Sequence, residues 1–244
     1  MPDLVVLHTN DLHGRLTDSQ ADRLRALKRE SGHCTLLVDA GDAVASGNVT
    51  YRPGGEAALE RMSAAGYDAM AVGNREFNFT EAGFAAKTTL ARFPVLCANV
   101  RARGEAVLPV QPSLVRALPS GLRVGLFGLT VPMITERMLV RKVSAFVFDD
   151  PLRAAAEIVP ELRAQCDVLV CLSHLGIAQD HRLAAAVAGI DLIVGGHTHA
   201  TLDHGEVEGG TLIVQAAAHA KRIGRVDVDV RQGTAAMTAK LAPL

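Results

Sequence analysis

The sequence predicts an α/β fold, and three observations lead to that prediction. Short apolar runs alternate with stretches of helical periodicity along most of the 244 residues. Hydrophobic residues make up 49% of the chain and charged residues 21%, a balance that supports a substantial core and excludes a disordered chain. Polar clusters follow several of the apolar runs, as expected when loops at the ends of strands carry a binding site.

The predicted strands are short runs rich in Val, Leu and Ile. They cover residues 4–8, 34–38, 69–72, 94–98, 122–129, 167–173, 190–194, 211–215 and 224–230. Helical patterns separate many of them, at 19–30, 55–65, 80–91, 151–165 and 179–188. Some of these helices have a start signal, such as Thr80, or Asp150 followed by Pro151. Segment 100–121 carries three prolines, so we expect it to cross from one half of the fold to the other.

The overall charge gives no reason to expect a nucleic-acid or membrane partner. The formal net charge is −1, so any phosphate must be attracted by a local site rather than by the whole surface.

No apolar run approaches the roughly 18 to 20 residues that span a bilayer, and the first residues do not resemble a secretory signal. The four cysteines lack the close spacing of a zinc knot, and we expect buried free thiols. These features predict a cytoplasmic protein.

The predicted strands are followed by residues of the kinds that bind metals. The clusters are Asp11-Leu12-His13 after strand 4–8, Gly41-Asp42 after 34–38, Gly73-Asn74 after 69–72, Ser173-His174 at the end of 167–173, and Gly195-Gly196-His197-Thr198-His199 after 190–194. Taken singly each cluster is weak evidence, because Asp-x-His and Gly-Asp are ordinary in turns. Together they predict loops that converge on one crevice at the carboxyl ends of the strands.

The sequence and order of these clusters resemble the calcineurin-like metallophosphoesterases. The segments that carry the resemblance are His8-Thr9-Asn10-Asp11-Leu12-His13-Gly14, Asp39-Ala40-Gly41-Asp42, Gly73-Asn74, Ser173-His174-Leu175-Gly176 and Gly195-Gly196-His197-Thr198-His199. The chain is most similar to the catalytic domain of the 5′-nucleotidase and UDP-sugar hydrolase branch, from residue 4 to the stretch 215–225, where the segment around His219 is similar to one near the family's site. The resemblance implies a four-layer α/β/β/α sandwich with two mixed β-sheets and hydrolysis of phosphate esters.

Carried over position by position, the resemblance implies a dinuclear metal centre. The ligands of one ion would be Asp11, His13 and His199, those of the other Asn74, His174 and His197, and the bridging ligand Asp42. This mixture of imidazole, carboxylate and amide donors favours manganese, iron, zinc or cobalt over calcium or magnesium, and manganese is our first choice. By formal counting, two divalent ions, two carboxylates and a metal-bridging hydroxide leave about one positive charge to attract a phosphate.

One pair of positions departs from the family pattern. After the metal-binding Asn, the family usually carries a His and, three residues later, an Asp that orients it, whereas Arg75 and Asn78 stand here. Arg75 keeps a cation near the phosphate, but a guanidinium holds its proton too tightly to be a good proton donor. We therefore predict catalytic roles for Asn74 and Arg75. The alternative is that Arg75 points to solvent and that the site is catalytically impaired.

Residues 1–244 are expected to form a single catalytic domain, without the C-terminal domain that stacks the nucleobase in two-domain 5′-nucleotidases. The chain has no Trp, two Tyr and seven Phe, so little aromatic surface is available for stacking. The expected substrate is a small phosphorylated molecule, with a nucleotide as one candidate. Phosphodiesters or activated monoesters are slightly favoured, because an acidic leaving group needs least help from a general acid. A 5′-nucleotidase-type phosphomonoesterase and a catalytically impaired metal- or phosphate-binding regulatory protein are the alternatives.

Overall fold

The computed structural model describes residues 2–231 and 233–244, and its strands form two large sheets and one small one. The strands are β1 Leu4–Thr9, β2 Thr35–Asp39, β3 Ala69–Ala71, β4 Val95–Leu96, β5 Val100–Ala102, β6 Ser113–Ala117, β7 Arg123–Thr130, β8 Phe146–Phe148, β9 Val168–His174, β10 Leu192–Gly195, β11 Glu206–Glu208, β12 Thr211–Val214, β13 Arg222–Arg231 and β14 Thr234–Pro243. The helices are α1 Asp18–Glu30, α2 Ala57–Ala65, α3 Glu81–Thr88, α4 Pro151–Arg163 and α5 Ile177–Ala186, and a 3₁₀ turn lies at Leu139–Lys142.

Both large sheets are mixed, as the resemblance implied. The first has the order β14-β13-β1-β2-β3-β4, in which β1 to β4 run parallel and β13 and β14 pair antiparallel. The second has the order β11-β12-β10-β9-β7-β6, in which the four central strands run parallel and both edge strands antiparallel. The parallel strands of each sheet therefore end along one edge, where their loops can meet.

Three apolar clusters separate four layers. Val38 of the first sheet and Val170 of the second belong to the cluster between the sheets. Leu59 of α2 and Phe84 of α3 pack on the outer face of the first sheet. Leu183 of α5 belongs to the cluster that joins α4 and α5 to the second sheet. Helices thus cover both outer faces, which confirms the α/β/β/α sandwich.

The predicted helix starts are confirmed by their hydrogen bonds. The Thr80 hydroxyl accepts a hydrogen bond from the backbone N–H of Gly83 at 3.1 Å. The Asp150 carboxylate accepts one from the backbone N–H of Arg153 at 2.9 Å, and Pro151 occupies the first turn of α4. Each cap satisfies an N–H group that has no partner within its helix.

Segment 100–121 crosses between the sheets, as predicted, because β4 lies in the first sheet and β6 in the second.

Sequence analysis missed the edge strands β6, β11 and β14 and the small pair β5 and β8. Strand β14 is rich in Ala and Thr, which give no clear strand signal, and much of it is half-exposed. It forms because it pairs with β13 from Arg222↔Pro243 to Arg231↔Thr234. Edge strands of this kind depend on a partner that local sequence does not reveal.

The cysteines are free thiols, as expected. Cys97, Cys166 and Cys171 are buried as expected, whereas Cys34 is partly exposed, contrary to the expectation of a buried thiol. Burial raises the pKa of the Cys97 thiol to about 12, so this side chain behaves as a small apolar residue.

Within the described residues, none of the helices combines the length and the apolar character needed to cross a bilayer.

Candidate metal centre

The predicted ligands lie where the carboxyl ends of five parallel strands meet. They follow β1 (Asp11 and His13), β2 (Asp42), β3 (Asn74) and β10 (His197 and His199), or end β9 (His174). Backbone hydrogen bonds join neighbouring loops, since the Asp11 N–H donates to the Gly41 carbonyl and the His13 N–H to the Asp42 carbonyl, both at 2.9 Å. The structure therefore brings all of the predicted ligands together.

The first set of donor atoms surrounds one oxygen of Asp11. The Nε2 atom of His13 lies 3.6 Å from Asp11 Oδ1 and 3.5 Å from Asp42 Oδ2. The Nε2 atom of His199 lies 3.3 Å from the same Asp11 Oδ1. The other oxygen of Asp11 accepts a hydrogen bond from the His197 backbone N–H at 3.0 Å. Asp11 Oδ1 is therefore the oxygen that faces the two imidazoles.

The second set lies on the other side of Asp42. The Nε2 atom of His174 is 3.5 Å from Asp42 Oδ1, whereas Asp42 Oδ2 faces His13. The Nδ1 atom of His197 lies 3.2 Å from Asn74 Oδ1, and the rings of His174 and His197 have centroids 5.2 Å apart. The two oxygens of Asp42 thus face separate sets of donors, which is the position expected of a bridging ligand.

Several of these donor atoms fit a metal ion because they are buried and unpaired. Asp11 Oδ1, His13 Nε2 and His174 Nε2 are without a hydrogen-bond partner. A buried polar atom left in this state costs about 1–3 kcal/mol, so a cluster of them needs a ligand. The Nδ1 atom of His174 lies 2.8 Å from the Ala40 carbonyl oxygen, to which it can only donate. The lone pair of the neutral ring is therefore on Nε2, as a metal bond requires.

The charges around the site also favour a cation. Close contacts with the carboxylates of Asp11 and Asp42 raise the pKa of His13 to about 9. Burial opposes a charge on His174, but the contact with Asp42 outweighs it and raises the pKa of His174 to about 9. Burial likewise opposes a charge on Asp42, yet its close contacts with His13 and His174 lower its pKa below the usual range. Asp42 therefore stays ionised, and protons compete with metal ions for the imidazole lone pairs.

Most of the predicted ligands have a left-handed backbone, which non-glycine residues rarely adopt. In the described part of the chain, the non-glycine residues with positive φ are Asp11 (50°), His13 (49°), Asp42 (56°), His197 (74°), His199 (56°), Ala217 (62°), His219 (64°) and Ala220 (55°). Such conformations cost of order 1–3 kcal/mol each and persist chiefly at functional sites. Five of the eight are predicted ligands, and His219 contacts one of those ligands.

Two glycines let the loops after β2 and β3 approach each other closely. A Cβ atom on Gly73 would lie 2.3 Å from the backbone nitrogen of Asp42, and one on Gly41 would lie 2.6 Å from the backbone nitrogen of Gly73. Gly41 also has a φ of +95°, which glycine adopts without strain. A side chain at either position would therefore push the two loops apart.

Glu76 holds the same two loops together, and sequence analysis assigned it no role. One oxygen of its buried carboxylate accepts hydrogen bonds from the backbone N–H groups of Asp42 and Gly73, both at 2.8 Å. The other oxygen accepts from Ala43 at 2.9 Å and Val44 at 3.1 Å. No local pattern distinguishes this Glu from a surface residue, since Asp42, Ala43 and Val44 become its neighbours only on folding.

Arg75 lies against Asp42, with part of its side chain exposed. Its backbone N–H donates to Asp42 Oδ1 at 2.7 Å, and its Nε atom lies 3.7 Å from Asp42 Oδ2. One guanidinium nitrogen donates to the Ala45 carbonyl at 3.2 Å. Asn78, at the position of the family's orienting Asp, accepts hydrogen bonds from Thr80. Asp42 and Ala45 therefore orient Arg75, and the side chain does not simply extend into solvent.

The family model for calcineurin-like phosphoesterases matches residues 4–201. The chain belongs to this family. Trifunctional nucleotide phosphoesterase protein YfkN of Bacillus subtilis (strain 168) is 32% identical over 267 residues, which covers 93% of this chain and 18% of the relative. The 5′-nucleotidase of Homo sapiens is 30% identical over 270 residues, which covers 93% of this chain and 46% of the relative.

A solved structure supports the same assignment. The crystal structure of the 5′-nucleotidase precursor from Thermus thermophilus matches with a TM-score of 0.81 and 29% identity, covering 99% of this chain and 54% of that chain. This calcineurin-like phosphoesterase thus spans about half the length of the nucleotidases it matches, and less of YfkN. The family and the fold that the sequence predicts are confirmed.

Replacing Asp42 by Ala is expected to abolish binding of both metal ions, because this carboxylate lies between the two sets of donors. Elemental analysis after reconstitution with manganese, zinc or iron should find about two ions per wild-type chain and fewer than about one per Asp42→Ala chain. Asp22→Ala, at an exposed position of α1, is the matched control and should retain both ions. A wild-type chain that holds one ion or none contradicts a dinuclear centre.

Glu76→Gln is expected to lower the free energy of unfolding by about 2 to 6 kcal/mol, because an amide group replaces one acceptor oxygen and leaves two buried N–H groups unpaired at about 1–3 kcal/mol each. Chemical denaturation of the metal-free protein measures this change. Glu161→Gln, at an exposed position of α4, should leave the free energy of unfolding unchanged. Equal stability of the two variants would mean that the loops hold together without Glu76.

Proposed function

We propose that the chain hydrolyses phosphate esters at a dinuclear centre of divalent transition-metal ions. The observation that carries this proposal is the position of Asp42, whose two oxygens face two separate sets of donor atoms, several of them unpaired. The ligands would be Asp11, His13 and His199 for one ion and Asn74, His174 and His197 for the other. Such ions, when bound, activate water for attack and neutralise charge on the phosphate. Manganese is the favoured metal, with iron, zinc and cobalt as alternatives.

The open side of the site would receive the phosphate. Asp42 and His174 lie on the buried side, whereas His197 and His199 are exposed. Arg75 is partly exposed beside Asp42, and a guanidinium can donate two parallel hydrogen bonds to a phosphate. Because a guanidinium is a poor proton donor, the proposed role of Arg75 is to bind and stabilise the charged phosphoryl group. Asn74 would assist by holding its amide oxygen beside His197.

Substrates with acidic leaving groups suit a site of this composition best. Arg75 does not protonate a departing oxygen, so phosphodiesters or activated monoesters are slightly favoured over alkyl monoesters. The similar proteins include one named as a nucleotide phosphoesterase and others named as 5′-nucleotidases, which supports a small phosphorylated molecule, such as a nucleotide, as substrate. A phosphomonoesterase of the 5′-nucleotidase type is therefore the nearest alternative.

The second candidate function is a catalytically impaired protein that binds metal and phosphate for regulation. Arg75 in place of the family's His is the observation that favours it. Turnover across monoester and diester substrates, measured with saturating metal, separates the two functions. Hydrolysis of any of these esters at a rate that falls on removal of metal supports the enzyme. Retained phosphate binding without turnover supports the regulatory protein.

Arg75→Ala is expected to slow hydrolysis of activated esters by a factor on the order of ten to a thousand, the loss typical of removing one electrostatic contact. The rate of the wild-type enzyme should also depend steeply on leaving-group acidity, with nitrophenyl esters far better than alkyl esters. Steady-state rates at saturating metal test both statements. An Arg75→Ala enzyme as active as wild type would show that Arg75 makes no contact with the phosphate.

The double change Arg75→His with Asn78→Asp is expected to raise activity selectively on alkyl monoesters. Only these substrates need protonation of the departing oxygen, and a His can supply that proton whereas an Arg cannot. The measurement is the ratio of kcat/KM for an alkyl ester to that for a nitrophenyl ester. A ratio that does not rise in the double variant would mean that the lack of a proton donor at position 75 does not limit hydrolysis of alkyl esters.

Weak discrimination among nucleobases is expected, because the chain has few aromatic side chains for stacking, with no Trp, two Tyr and seven Phe. Phe77 is buried, and its ring packs edge to face on Phe148 with centroids 4.9 Å apart, so it is not free to stack on a base. Stacking is worth about 1–3 kcal/mol per base where it is available. Rates on the common nucleoside monophosphates should agree within about tenfold. A preference of about a hundredfold for one base would reveal a specificity pocket.

A further inference from the structure

We infer that His219 positions the metal ligand His13, an inference that rests on the proposed metal centre. His219 lies in the loop 215–221, between β12 and β13. Its Nε2 atom is 3.2 Å from His13 Nδ1, and the two rings meet edge to face with centroids 5.0 Å apart. His13 therefore directs one ring nitrogen toward Asp11 and Asp42 and the other toward His219.

Metal binding fixes the direction of the hydrogen bond between the two imidazoles. A bond from His13 Nε2 to a metal uses the lone pair of a neutral ring, so the ring proton remains on Nδ1. His13 then donates from Nδ1 and His219 accepts at Nε2, which places the proton of His219 on its own Nδ1. An acceptor behind a metal-binding His fixes its tautomer and ring orientation and increases its basicity.

His174 has the same arrangement with a different acceptor. Its Nδ1 atom lies 2.8 Å from the Ala40 carbonyl oxygen, and its Nε2 atom is buried and unpaired. The Nε2 atom of His13 is likewise buried and unpaired, so the two ligands share one pattern. A backbone carbonyl supplies the acceptor for His174, whereas a side chain supplies it for His13. Only the second acceptor can be removed by mutation.

The backbone around His219 holds its ring in place at a conformational cost. Ala217 and His219 have φ angles of 62° and 64°, in the left-handed region that glycine adopts most easily. The His219 N–H donates to the Asp11 carbonyl at 2.8 Å, and the Asn10 side chain accepts from the Ala216 N–H at the same distance. The loop is thus joined to the segment that carries the first ligands. Replacing His219 by glycine would relieve the backbone strain at this position but would leave no hydrogen-bond acceptor for His13 Nδ1.

Two replacements of His219 test this role. His219→Gln keeps an acceptor in its side-chain carbonyl oxygen, whereas His219→Phe keeps a ring without an acceptor. Mn²⁺ and Co²⁺ are titrated into metal-free protein by calorimetry, and the Co²⁺ absorption spectrum reports the ligand set. The Phe variant is expected to bind one of the two ions about 10–100-fold more weakly, and the Gln variant to stay within about threefold of wild type. Thermal unfolding of the metal-free variants should match that of wild type.

Wild-type affinity of the Phe variant for both ions overturns the inference. An equal loss in the Gln and Phe variants overturns it as well, because the ring itself rather than its acceptor would then matter. A wild-type chain that binds two ions but hydrolyses no phosphate ester contradicts the proposed activity, while the titrations still decide the role of His219. A wild-type chain that binds no divalent ion overturns the metal centre and the inference together.

Discussion

The buried carboxylate of Glu76 is the interaction on which the candidate metal centre depends. Its two oxygens accept four backbone hydrogen bonds from the loops that follow β2 and β3. Charge-assisted bonds of this kind are stronger than neutral ones, and a buried anion requires several of them. Lys87 of α3 is fully buried beside these loops. Its ammonium group donates hydrogen bonds to the carbonyls of Gly47 and Arg75, which lie in the segments after β2 and β3. The positions of Asp42 and Arg75 follow from these two buried charges.

The site combines a fixed buried side with an open one. Asp11, Asp42 and His174 are buried, and Asp11 Oδ1 and His174 Nε2 have no hydrogen-bond partner. His197 and His199 are exposed, so an incoming anion can reach the same cluster from solvent. Left-handed backbone at five of the predicted ligands shows that packing, and not local preference, sets their geometry. Rigid strand ends and hydrogen-bonded loops supply the stabilisation that this strain requires.

Arg75 and Asn78 show how a shared scaffold can change its proton chemistry. The family membership and the gathered ligands indicate that the metal-binding frame is retained. Asn78 forms hydrogen bonds with Thr80 and the Val49 carbonyl, so it helps to hold the loop rather than to orient residue 75. A permanent cation beside Asp42 replaces a group that could gain and lose a proton. In the proposed site, the charge near the phosphate would thereby be kept, whereas protonation of a leaving group would not.

The sequence by itself determined the α/β class, the main parallel strands and the set of predicted ligands. Apolar runs and the polar residues directly after them are local features, and their order resembles the calcineurin-like family, which implied Asp11, Asp42, Asn74 and His174 as ligands. Only the tertiary structure decided the edge strands such as β14, the three donors that Glu76 meets at residues 42–44 and the contact between His13 and His219. Each of these depends on groups that lie apart along the chain, 206 residues in the case of the two histidines, and no local pattern records such a pairing.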